Sequence, residues 1–279
     1  MSDNHFAPTV KRAFFCECTD SAFVAADTVS LEFPWPGPAP KGGQFFLIKP
    51  RRTGVFLGRP ISVAGWKQDD PASSGRLRFI VARRGQGSRE LADIRPGEEA
   101  ELIGPLGNCW AAFAGDLPKK PGPFALVGGG IGIAPLLAFA GELAGRPVPE
   151  EQASDNARSF DFYAGFRSAA FGLEAVQAGG PRALVIASED GSEGVKGRIT
   201  EFFTPAGYSG VFVCGPEPLL KTVSDTCIAA GVPCFVSLER HMACGVGACL
   251  GCTVKTTEGN RCCCTGGPIF NAEEVCFDK

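Results

Sequence analysis

Cysteines 244, 249 and 252 stand with four and then two residues between them, inside the stretch ERHMACGVGACLGCTVKTTEGNRCCCTGGPIF, residues 239–270. Eleven residues separate Cys252 from a further thiol, Cys264. The x4–x2 spacing of the first three matches the plant-type pattern for a [2Fe–2S] cluster, in which four thiolates hold two irons. Gly245, Gly247 and Gly251 lie between the thiols, where a backbone must wrap tightly and aim its N–H groups at sulfur. Four cysteines also suit tetrahedral zinc, but zinc sites usually come as two short Cys pairs. The spacing favours iron.

Three other stretches carry candidate chemistry. Arg59-Pro60-Ile61-Ser62 opens an apolar run; a guanidinium there can fork onto a phosphate, and a hydroxyl on the same strand can reach a flavin ring nitrogen. Gly85-Gln86-Gly87-Ser88 precedes RELADI, a short helix candidate, and glycine backbone feeding a helix N-terminus suits a pyrophosphate. Gly128, Gly129, Gly130 and Gly132 follow the apolar run 124–127 and precede a helix from Pro135. That is a strand, a glycine turn and a helix end fit for a nucleotide phosphate, although the spacing is not G-x-G-x-x-G. The two histidines, His5 and His241, have no assigned chemistry, and no general acid or base is expected.

The elements that must position these residues can be read from periodicity. Short apolar runs at 45–48, 61–64, 77–81 and 100–103, punctuated by Gly and Pro, predict an antiparallel barrel over the first ~115 residues. Trp35 is placed in a Pro-rich turn, PWPGPAP, between two early strands. RPGEEAELIGPLGN, residues 95–108, closes the barrel. After the linker LPKKPGP come expected strands at 124–127, 160–166, 183–189 and 210–216. They alternate with helices at 135 onward, near 197–203 and at 219–231. This alternation predicts a doubly wound parallel sheet, with ligands at the carboxyl ends of its strands. Both the Gly128 turn and Cys214-Gly215-Pro216 fall at such ends.

With 279 residues the chain can build two or three cores. Its 27 basic and 30 acidic residues leave a net charge of −3 without a basic block, so nucleic acid is not an expected partner. Thirteen cysteines without an apolar leader at the N-terminus suggest a reducing cytoplasm. The uncharged run 124–141 is 18 residues long, but Pro135 and five glycines read as strand, turn and helix, and no membrane span is expected.

Taken in order, RPIS, GQGS, PLGN, GGGIGIAP, FYAGFRS and CGPEPLL resemble the ferredoxin-reductase-like flavoproteins. With ACGVGACLGC and C-x2-GPIF added, the chain resembles the electron-transfer subunits of class 1B dihydroorotate dehydrogenases over residues 10–275. That resemblance implies a multidomain β plus α/β chain: an FAD-binding β-barrel (1–117), an NAD-binding α/β domain (118–233) and a small [2Fe–2S] domain (234–279). It implies FAD held by Arg59, Pro60, Ile61 and Ser62, by the backbone of Ile80, Val81 and Ala82, and by Gly87 and Ser88. Gly129, Gly130 and Ile131 would meet the nicotinamide nucleotide, with Cys214, Gly215 and Pro216 near its ring. Cys244, Cys249, Cys252 and Cys264 would ligate the cluster, Cys264 because it stands three residues before Gly267-Pro268; Cys262 and Cys263 leave that choice open. The implied partner is an FMN-containing dihydroorotate dehydrogenase catalytic subunit, in a cytoplasmic hetero-tetramer. Related layouts occur in the small subunits of NAD(P)H:ferredoxin oxidoreductases or hydrogenases and in oxygenase reductases. NAD and NADP stay open, since Arg167 could pair with a 2′-phosphate whereas Glu189 or Asp190 could hold a ribose hydroxyl.

Overall fold

A computed structural model describes residues 12–51, 54–68, 70, 73–117, 122–145 and 159–277. His5 and residues 118–121 of the expected linker lie outside them. The first sheet is built from β1 (Arg12–Glu17), β2 (Asp20–Ala25), β3 (Thr28–Trp35), β4 (Phe45–Pro50), β5 (Arg59–Lys67), β6 (Gly75–Ala82) and β7 (Glu99–Leu106). Its order is β1-β7-β4-β5-β6-β3-β2, with every pair antiparallel. β1 also touches β3, so the sheet curls toward a barrel. Inward residues Leu31, Phe33, Phe46, Leu77 and Phe79 are fully buried and fill it. The first helix, α1 (Gln86–Ala92), covers one end.

Trp35 corrects one expectation. It is the last residue of β3 rather than part of the turn, 1% exposed, with Phe46 packed edge-on at 4.8 Å. Its Nε1–H donates to the Pro38 carbonyl, so the indole itself pins the proline turn that follows. An aromatic body with one polar handle is suited to that position.

A short helix α2 (Trp110–Asp116) leads to the second sheet. That sheet holds β8 (Phe124–Gly129), β9 (Phe160–Phe166), β10 (Ala183–Ser188), β11 (Val195–Lys196), β12 (Gly210–Cys214), β13 (Cys234–Ser237) and, from the C-terminal stretch, a strand at Ile269–Asn271. Helices α3 (Ile133–Ala144), α4 (Glu174–Ala178) and α5 (Glu217–Ala230) join its strands, and near 197–203 there is a single 3-10 turn, Ile199–Glu201. Between the strands of the C-terminal stretch lie the hairpin β14 (Thr253–Thr256) and β15 (Gly259–Cys262), then α6 (Cys263–Gly266). With Ile269–Asn271 as β16, the order is β11-β10-β9-β8-β12-β13-β16; all pairs are parallel except β13–β16. Residues 234–279 therefore supply two strands of the parallel sheet as well as the cysteine-rich loop.

Both faces of this sheet are covered, which explains its continuous apolar strands. On β8, Ala125 and Val127 face the core shared with α5, while Leu126 faces α3. α3 is apolar almost all round because it is wedged between the sheet and β5 of the barrel. This accounts for the long uncharged run. Among the described residues no helix is long and apolar enough to cross a membrane.

Candidate functional site

The flavin-type motifs converge at the barrel rim. β5 opens with Arg59 and α1 opens with Gln86, and a Cβ placed on Gly87 would lie 2.0 Å from Arg59 Nε. The Arg59 guanidinium thus rests against the backbone of Gly87. Two motifs 28 positions apart in the chain form one cationic cradle beside helical N–H groups, a fit for a pyrophosphate. The Ser88 hydroxyl is occupied: it accepts from the N–H groups of Arg84 (2.9 Å) and Gly85 (3.0 Å), and donates to the Gly85 carbonyl. Its role is to hold the glycine loop in shape. Ser62 lies opposite Phe45, Ile61 opposite Phe46 and Pro60 opposite Leu47 on β4. Ile80, Val81 and Ala82 run along β6 beside β3.

The second site forms at the switch point of the parallel sheet. Chain order runs outward from β8 through β9 and β10, then returns to β12 on the other side of β8, leaving a crevice at their carboxyl ends. Cys214 pairs in register with Gly128, so Gly129–Ile131 and Gly215–Pro216 lie side by side. A Cβ on Gly132 would come within 2.5 Å of the Cys214 carbonyl oxygen, so only glycine permits this approach. β6, which carries Ile80–Ala82 at its end, touches the Gly130–Gly132 turn beside the crevice. Cys214 is buried and burial pushes its thiol well above the usual range.

At the outer strands, Asp190 Oδ1 accepts from the Ser192 N–H (2.9 Å) and hydroxyl (2.7 Å), closing the expected turn and lowering the carboxyl. The Asp190 N–H donates to the Arg167 carbonyl and the Glu189 N–H to the Phe166 carbonyl, so the three candidates for reading the ribose, Arg167, Glu189 and Asp190, lie on adjacent loops.

The four thiols fall into two pairs. Cys244 Sγ accepts from the N–H groups of Val246 and Cys249, each at 3.4 Å, and these donors draw its thiol down to about 6, with a further contribution from Cys249 itself. Cys252 Sγ accepts from the Cys264 N–H at 3.4 Å, and the two side chains hydrogen-bond each other. Burial, then this shared proton, pushes Cys264 up to about 12; the Gly247 N–H opposes the shift. Gly247 thus reaches from the first loop to the last thiol. Such N–H groups favour thiolate, the ligating form. Among the described residues no three His, Cys, Asp or Glu side chains gather as ligands of one metal ion. Two pairs of thiolates are the donor set for two irons, and the residues present fit a [2Fe–2S] cluster.

The neighbouring cysteines differ. Cys262 Sγ faces the Thr253 hydroxyl at 3.6 Å across the β14–β15 hairpin, and Cys263 is packed in the core, its thiol pushed to about 12 first by burial. Neither has the N–H donation given to Cys244, Cys252 and Cys264.

Sequence reasoning passed over two residues. Glu239 follows β13: desolvation raises its carboxyl, Arg84 opposes that shift, and its charge adds to the effect of burial on Cys214. Asn108, read only as part of a closing turn, is 3% exposed, and its side chain bonds both backbone groups of Ile269. No periodicity marks either one. The second could have been suspected from an Asn following Pro-Leu-Gly, since a buried amide needs several partners.

A family model for the iron–sulfur cluster binding domain of dihydroorotate dehydrogenase B matches residues 239–276. The electron transfer subunit of dihydroorotate dehydrogenase B (NAD(+)) from Clostridium perfringens is 40% identical over 84% of this chain and 87% of its own length. Its counterpart from Caldanaerobacter subterraneus is 33% identical over 91% and 94%. Among solved structures, an NADH-dependent reduced ferredoxin-NADP oxidoreductase covers 94% of this chain and 89% of its own, with a TM-score of 0.72 at 24% identity. The ferredoxin reductase in carbazole 1,9a-dioxygenase covers 83% and 70%, with a TM-score of 0.63 at 19% identity. The two structures agree with the barrel and the parallel sheet as a ferredoxin-reductase-like fold. Identity at this level over nearly the whole chain places it, by descent as well as by fold, in the family of dihydroorotate dehydrogenase B electron transfer subunits.

Proposed function

We propose that this chain carries electrons between a dihydroorotate dehydrogenase catalytic subunit and NAD⁺, by way of a [2Fe–2S] cluster and FAD. The observation that carries this reading is the seriation of three sites around one rim. Leu47 on β4 pairs with Pro60 of the flavin motif, and the same side chain lies 2.7 Å from where a Gly245 Cβ would be, in the cluster loop. On the other side of the flavin motif, β6 touches the glycine turn of the crevice. Nicotinamide exchanges electrons in pairs as hydride and the cluster takes them singly, so a flavin, able to do both, supplies the exchange between them.

The residue roles follow from this order. Cys244 and Cys249 hold one iron, and Cys252 and Cys264 the other. Arg59 grips the flavin pyrophosphate above Gly87, with the loop kept in shape by Ser88, while Ser62 faces the ring and Ile80–Ala82 line it with backbone. The turn Gly129–Ile131 receives the nicotinamide nucleotide, and Cys214-Gly215-Pro216 close behind its ring. Asp190, locked by Ser192, holds a ribose hydroxyl and disfavours a 2′-phosphate, in keeping with NAD. Oxidation of dihydroorotate belongs to the partner, an FMN-containing subunit, in a cytoplasmic hetero-tetramer, as the named function of the relatives supports. Units of 1–117, 118–233 and 234–279 carry flavin, nucleotide and cluster.

Co-expression with a dihydroorotate dehydrogenase catalytic subunit tests this. The pair should co-purify and reduce NAD⁺ with dihydroorotate, whereas the chain alone should oxidise NADH with artificial acceptors only. Dihydroorotate oxidation by the isolated chain would overturn the division of labour.

A further inference from the structure

We infer that Asn108 is a positioning residue for electron passage between flavin and cluster: its side chain clamps the segment behind Cys264 to the flavin barrel. Its Nδ2–H donates to the Ile269 carbonyl at 2.8 Å and its Oδ1 accepts from the Ile269 N–H at 3.0 Å. One amide thus meets both backbone groups of a residue 161 positions away, as a neighbouring strand would. The Asn108 N–H adds a bond to the Gly267 carbonyl at 2.8 Å.

The clamp sits where the two centres are joined. Leu106, at the end of β7, pairs with Phe45, which pairs in turn with Ser62 of the flavin motif. That is two strand spacings, about 10 Å, from flavin strand to rim. Beyond Leu106, a Cβ on Gly107 would lie 2.6 Å from Pro268, and one on Gly245 would lie 3.1 Å from Leu106 Cδ1. The rim therefore meets both arms of the cluster loop, one by packing at Gly245 and one by hydrogen bonds at 267–269. Packing fixes contact at the first arm, whereas the Asn108 amide, together with its backbone N–H, fixes the register of the second arm against the barrel rim. Ile269 opens β16, so the same clamp ties the arm to the parallel sheet.

The bonds of Asn108 go to Gly267 and Ile269, not to the flavin motif or to a thiol of the cluster loop. Its loss should spare hydride exchange and impair the step between centres. This rests on the reading above, and the test separates the two. The purified holoprotein is mixed anaerobically with NADH, and bleaching of flavin and of cluster is followed as separate phases. If flavin in the unaltered protein is not reduced by NADH, the functional reading fails whatever Asn108 does.

In Asn108→Ala, flavin reduction should keep its rate while cluster reduction slows severalfold, since electron transfer falls off steeply with the separation of the two centres. The cluster's EPR g-values should shift, and amide exchange at Ile269 should accelerate. Asn108→Asp guards against a variant that fails to fold. As carboxylate it repels the Ile269 carbonyl, whereas as the neutral acid it matches the amide's donor and acceptor, and burial favours the neutral form. Its cluster-reduction rate should therefore recover as pH is lowered from 8 to 6, while that of the unaltered protein does not rise. Unchanged cluster kinetics and EPR in Asn108→Ala, or a rate in Asn108→Asp that does not recover, would overturn the proposal.

Discussion

The two thiol pairs are alike in chemistry and opposite in setting. Cys244 and Cys249 ride an outer loop, half-buried and exposed, where Val246 and Leu250 also stand open to solvent. Cys252 and Cys264 are 2% and 1% exposed, in the same core as Val254, Phe270 and the α5 residues Leu220 and Val223. The outer thiol Cys244 is drawn toward thiolate by free backbone N–H groups, while the inner Cys264 is driven by burial toward the neutral thiol. Cys244 is thus biased toward the ligating form beforehand, whereas Cys264 must be deprotonated by metal binding itself. One half of the centre faces outward; the other is held by the fold.

Breaking the inner pair should have the largest effect. Cys264→Ser should lose the cluster and also destabilise the chain by about 1–3 kcal/mol, since the hydroxyl enters an apolar core. Iron content and thermal unfolding read the two losses. Cys249→Ser should lose iron with little change in the unfolding of the cluster-free chain, because this side chain is exposed. Equal destabilisation by both would erase the distinction drawn here.

Arg59→Ala should leave both thiol pairs and their iron intact but weaken flavin binding roughly 10- to 100-fold, the worth of a charge-assisted phosphate contact of about 1.5–3 kcal/mol. Full flavin occupancy after purification would show that the cradle has been misread. A pH titration sharpens the comparison further. In cluster-free protein, alkylation of Cys244 should rise through a midpoint of about 6 as the thiolate forms, while Cys264, held protonated to about 12, stays unreacted at pH 8. The smallest effect belongs to Cys262→Ser, which should keep iron and EPR unchanged, because this thiol faces Thr253 across the hairpin.

What could be read in advance followed the range of the interaction. The outer loop is local: its spacing and glycines lie within nine residues, 244–252, and the sequence displays them openly. The barrel strands from β4 to β7 and the strands β8, β9, β10 and β12 were also legible, because alternation and Gly/Pro punctuation are local signals. Ile269–Asn271 was not, since three residues acquire strand character only by pairing with β13. Trp35 was assigned to its proline-rich surroundings, whereas the burial of its ring against Phe46 decides its place. Gly87 looked like one more phosphate-loop glycine, and its contact with the Arg59 guanidinium exists only in three dimensions. Asn108 is the extreme case, with partners 161 positions away.

The central claim is that crevice, flavin cradle and thiol pairs form one electron path within a single chain. The most direct measurement is EPR of the purified protein frozen after anaerobic addition of NADH. The account predicts bleaching of the flavin and the signal of a reduced [2Fe–2S] cluster, with about two irons and one FAD per chain. Bleached flavin with no cluster signal, or zinc in place of iron, would contradict it.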